Sequence, residues 1–87
     1  MSPWRTENRE ETLNNLRPRR PAAVLQAGPA SPERLRLMEL GFVPGALVEV
    51  LSGKISLMVR LGDQRFCLHQ KFAKQVLVLP LAEGLLP

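Results

Sequence analysis

The chain has 87 residues, enough for one domain and too few for two. Its hydrophobic content of 45% suits a folded chain rather than a disordered one, and no apolar run approaches the ~18–20 residues a membrane-spanning helix needs. The net charge of +4 and the pI of about 10.2 invite a nucleic-acid reading, so the position of the charge matters.

Residues 1–20 hold five arginines (Arg5, Arg9, Arg17, Arg19, Arg20) against three glutamates (Glu7, Glu10, Glu11). The remaining chain has seven basic residues against five acidic ones, so half of the surplus lies in the first stretch. The later bases, from Arg34 and Arg36 to Lys71 and Lys74, are scattered, and phenylalanines are the aromatics among them. A nucleic-acid reader should cluster its charge and offer stacking surfaces, so no nucleic-acid partner is expected. The lone cysteine, Cys67, excludes an internal disulfide and fits a reducing compartment. Residues 1–20 lack the apolar central segment of a secretory leader, which makes the cytoplasm the expected location.

In chain order, residues 1–20 show little periodicity beyond Leu13 and Leu16 and end in Arg17-Pro18-Arg19-Arg20-Pro21, whose prolines deny the backbone a regular helix. They read as a mobile tail, with a short partner-docking helix over 7–16 as the alternative. Ala22–Gln26 reads as a short strand closed by Gly28-Pro29. Ser31-Pro32-Glu33 announces a helix: the serine hydroxyl accepts from an orphan amide, proline loses nothing at the first helical position, and the glutamate suits the positive end of the dipole. The helix runs Glu33–Leu40 and stops at Gly41, with Pro44-Gly45 turning the chain. Its apolar residues form two pairs at a spacing of three. Leu37 and Leu40, with Phe42 beside them, are expected inside, and Leu35 with Met38 at the edge or on a partner.

Beyond the turn the period becomes two. Leu47–Leu51 reads as a strand, and Ile55, Leu57, Val59 and Leu61 alternate as the inward face of the next. Gly62-Asp63 suits a two-residue type II′ hairpin returning through Gln64–Leu68. Residues 69–75 suit one helical turn, Val76–Leu79 a last strand stopped by Pro80, and residues 81–87 a frayed end. The expectation is a mainly β domain over residues 21–80: a small, partly open barrel of about five strands with one short helix after the first. Closure protects strand edges that would otherwise invite pairing.

The stretch Arg36-Leu37-Met38-Glu39-Leu40-Gly41-Phe42-Val43-Pro44-Gly45-Ala46-Leu47-Val48-Glu49-Val50 resembles the FeoA family signature, a leucine-rich helix end, Leu-Gly-apolar-x-Pro-Gly, then an alternating strand. The resemblance extends over about residues 21–80. It implies an SH3-like barrel in the cytoplasm, an accessory to bacterial ferrous iron transport acting with FeoB, the membrane transporter that carries a GTP-binding domain. Membrane contact would then be indirect, through the transporter, and the chain a monomer or weak homo-oligomer. Leu37, Leu40, Gly41, Phe42, Pro44 and Gly45 carry the match and are explained by packing and turning. The charged residues 1–20 depart from the family pattern, so no role for them is inherited.

The chain holds no phosphate-cradling glycine loop ending in Gly-Lys-Ser/Thr, which excludes GTP hydrolysis by that device. Cys67 and His69, two apart on a strand, share a side, yet nothing orients them for nucleophilic catalysis, so no enzyme is expected. The same two residues are the candidate metal donors. They are half of what a structural zinc site wants, so at most weak transition-metal binding is expected and no cofactor. The ligand count therefore favours the plainer expectation that Cys67 packs as a small buried residue while His69 caps or faces solvent. The candidate partner-binding residues are Arg34, Leu35, Met38 and Arg60. Two readings compete with the adaptor: a small basic barrel binding nucleic acid, and an iron- or zinc-responsive regulatory module.

Overall fold

A computed structural model describes residues 9–81 of the chain. Strands β1 (Glu11–Thr12), β2 (Ala22–Gln26), β3 (Leu47–Ser52), β4 (Ser56–Leu61), β5 (Gln64–His69) and β6 (Leu77–Pro80) form one antiparallel sheet in the order β1-β6-β2-β3-β4-β5. Helix α1 (Pro32–Leu40) follows β2, and one helical turn, α2 (Gln70–Ala73), joins β5 to β6. Hydrogen bonding does not join β1 to β5, so the bent sheet stays open there. The expected mainly β domain with one short helix is present, with a sixth strand added at its start.

Local chemistry sets the element ends. The Ser31 hydroxyl accepts from the Arg34 amide at 3.1 Å, and Pro32 fills the first helical position. Gly41, at φ +115°, ends α1 in the left-handed region and donates from its amide to Met38 O. Gly62, at φ +60°, turns the hairpin that pairs Leu61 with Gln64. His69 ends β5 as an extended residue whose ring accepts from the Lys71 amide, the cap expected of it.

The boundary placed at residue 21 is moved by the structure. Glu11 and Thr12 pair with Val78 and Leu77, the Leu13 amide donates to Val76 O at 2.9 Å, and Leu13 and Leu16 are buried in the core. Two leucines three apart, read as too little for an element, suffice because a strand of two residues and a 3-10 turn (Leu13–Asn15) deliver both to an existing core. Arg17-Pro18-Arg19-Arg20 is a reverse turn: the Arg20 amide donates to Arg17 O and the Arg19 amide to Val50 O at 2.7 Å, with Arg19 at φ +68°. Residues 1–8 of the expected tail and 82–87 of the expected frayed end lie outside the described residues.

The core gathers Leu13, Val24, Leu37, Phe42, Val59, Val76 and Val78, each all but inaccessible, around which Val48, Val50, Leu57, Leu61 and Leu68 close. Phe42 meets Phe66 edge to face, ring centroids 5.8 Å apart at 88°, tying the segment after α1 to β5. Leu40 is a correction: it is 47% exposed, whereas Leu37 is buried and Met38 packs against the core. The inward stripe runs Leu37–Met38–Gly41, the i, i+1, i+4 pattern of one helix face, and not Leu37–Leu40. Ile55, expected inside, precedes β4 and is 64% exposed. No buried side-chain nitrogen or oxygen among the described residues lacks a hydrogen-bond partner.

Candidate functional site

Because α1 spends one face on the core, its first turns leave apolar surface outward. Leu35 is 64% exposed, and with Ala30, Ser31, Pro32, Arg34 and Met38 it lines an open groove of about 480 Å³. Three of the four candidate partner-binding residues, Arg34, Leu35 and Met38, therefore meet in one place. Pro32 and the Ser31 cap fix the groove's end, and Met38 joins its floor to the core. Arg34 stands on its rim as a charge beside an otherwise apolar surface.

Arg60 lies elsewhere. On the outer face of β4 it pairs with Glu49 of β3 in a salt bridge, and its cross-strand neighbour on β5 is Arg65. Two guanidiniums directly opposed repel; the Glu49 carboxylate beside Arg60 offsets that. Arg60 lines a second, more polar depression with Pro21, Leu47, Glu49, Asp63 and Arg65, which shares no residue with the α1 groove. Its two cations face two anions, so it offers no net charge to a phosphate.

The candidate metal donors do share a side. Cys67 and His69 are both exposed on the outer face of β5, with Leu68 buried between them. Cys67 is thus not the small buried residue expected from the sequence: the alternation that buries Leu68 turns the thiol outward. Among the described residues no group of three or more His, Cys, Asp or Glu side chains could hold a metal ion. The residue overlooked in sequence is Met58, which pairs with Cys67 across the hairpin. Its signal was present: a two-residue turn at Gly62-Asp63 opposes 61 to 64 and hence 58 to 67.

No helix of the described residues is long and apolar enough to cross a membrane. A family profile for the FeoA domain matches residues 11–80. The chain belongs to the FeoA family. The match begins at β1, which agrees with the structural boundary and adds residues 11–20 to the expected domain. Solved FeoA structures superpose closely. An iron uptake regulatory protein, FeoA, has a TM-score of 0.77 at 25% identity, over 84% of this chain and 99% of its own. The FeoA of Stenotrophomonas maltophilia, complexed with zinc and described as a prokaryotic SH3 domain protein, has 0.71 at 33% identity, over 78% of this chain and 88% of its own. The FeoA of Chlorobium tepidum has 0.75 at 28% identity, over 86% and 76%. No curated protein sequence matches significantly. The SH3-like FeoA fold is therefore the fold of this chain.

Proposed function

We propose that this FeoA domain is a cytoplasmic accessory of bacterial ferrous iron transport that acts by binding the cytoplasmic part of the FeoB transporter, without catalysis of its own. The observation that carries the reading is the α1 groove of a FeoA-family domain, where Leu35 stands 64% exposed between Pro32 and Met38. A large apolar side chain held on a short, capped helix costs little ordering on binding, and a few well-packed residues with an arginine among them can carry most of the energy of an interface. Arg34 at the rim fits a carboxylate beside the apolar contact. Supporting the role, the relatives are named for iron uptake and ferrous iron transport.

The test is direct binding between the full chain and the cytoplasmic part of FeoB, measured by calorimetry in nucleotide-free and nucleotide-loaded states. Binding in either state that Leu35→Asp weakens supports the reading. Absence of binding in both states overturns it. Arg60, paired with Glu49 outside the groove, is not expected to contribute there.

A further inference from the structure

The β4–β5 hairpin places Met58 directly opposite Cys67, and Ser56 opposite His69. Facing residues of a ladder point to the same side, as do residues two apart on one strand. Met58, Cys67 and His69 consequently share the outer face, while Leu57, Val59 and Leu68 fill the inner one. Opposed Cα atoms in such a ladder lie about 4.5–5.5 Å apart, and same-face neighbours on one strand about 7 Å. All three donor side chains are long enough to converge on one ion from those positions.

Each donor is available. The Cys67 thiol is exposed, and Met58 lies half-buried on the outer face, outside the set packed against the core. The His69 ring is held at the strand end by the 3.1 Å bond from the Lys71 amide to Nδ1, and Nε2 has no hydrogen bond among the described residues. Ligation through Nε2 moves the ring proton to Nδ1 and gives up that one exposed bond.

We propose that Met58, Cys67 and His69 form a three-coordinate site for monovalent copper on the outer face of the β4–β5 hairpin. Thiolate and thioether together are soft donors that favour Cu(I), and imidazole completes a trigonal set. Zinc and ferrous iron, which draw little from a thioether, would find two donors here where a closed zinc site takes four. Binding releases the thiol proton of Cys67 and changes no oxidation state. The site is independent of the partner-binding groove.

The full chain, reduced and free of oxygen, is titrated with Cu(I) in competition with a chromogenic Cu(I) chelator, and alkylation of Cys67 is followed by mass spectrometry. The expected result is one copper per chain, a monomer throughout, and Cys67 protected by Cu(I) but not by the same concentration of Zn(II). Cys67→Ser abolishes binding. Because even residues that only support a metal's ligands cost roughly 10–100-fold when mutated, Met58→Leu, which keeps the volume and the strand, should weaken binding at least about tenfold. A smaller loss in Met58→Leu means that the thioether is not a ligand and overturns the three-coordinate site. So does the absence of binding, two chains per copper, or equal protection by zinc. Thermal melting of each variant confirms that these exposed changes leave the fold intact.

Discussion

Leu13 offers the sharpest test of where the domain begins. It is fully buried, and its amide is tied to Val76 O at 2.9 Å, so the surrounding backbone is poorly placed to collapse into a space left by truncation. Leu13→Ala trims a buried isobutyl side chain to a methyl, and such changes cost about 2–5 kcal/mol. We take about 3 kcal/mol. A chain of this size holds roughly 4–13 kcal/mol in total, so the change consumes a large share of it. At about 4–8 °C per kcal/mol for domains of 60–100 residues, the melting midpoint should fall by roughly 12–24 °C. Circular dichroism on heating, with urea unfolding as a second measure, reads the effect. A fall of less than about 4 °C would refute the reasoning and place residues 9–16 outside the cooperative unit.

Leu35→Asp, at a position 64% exposed, should leave stability within about 0.5 kcal/mol while weakening partner binding; an unfolded variant would show that Leu35 supports the core. Leu37→Ala should cost about 2–5 kcal/mol in urea unfolding, whereas Leu40→Ala should stay within about 1 kcal/mol. Equal costs would contradict the assigned helix face. Gly41→Ala meets two penalties, a φ of +115° and a Cβ 3.0 Å from Leu61 Cδ2, and should lose about 1–2 kcal/mol. Ser31→Ala removes the 3.1 Å cap and should lose about 1 kcal/mol, with faster amide exchange at Arg34 as its local signature.

Legibility in the sequence depended on whether a signal was local. Ser31, Pro32 and Gly41 announce α1 because capping is settled within a few residues, and Gly62-Asp63 fixes the hairpin because a two-residue loop leaves one register. Leu13 and Leu16 were misread because their partners, Val76 and its neighbours, lie at the other end of the chain. Isolated leucines carry no period, so only tertiary contact reveals them. Leu40 failed for another reason: four apolar residues in nine positions satisfy two helix faces equally, and only tertiary packing, which buries Leu37 and seats Met38 on the core, chooses between them. For the surface, the spacing of Leu35 and Met38 sufficed to bring them together. The grouping of Arg60 with them did not survive, because charge type says nothing about which face of which strand carries it.

The last strand, β6, lies between β1 and β2, so β1 finds its neighbour only there, Glu11 at Val78, and β2, already paired with β3, finds its second there, Ala22 at Pro80. During synthesis, then, a ribosome that has released the helix and the β3–β5 meander has still not released what completes the core. The nascent chain must wait with Leu13 and Val24 unsheltered, and the wide separation of these pairings slows the closing step itself. Chaperone dependence and yield at high expression rates should therefore respond to substitutions in residues 77–80 more strongly than to substitutions on the exposed face of the locally paired β4–β5 hairpin.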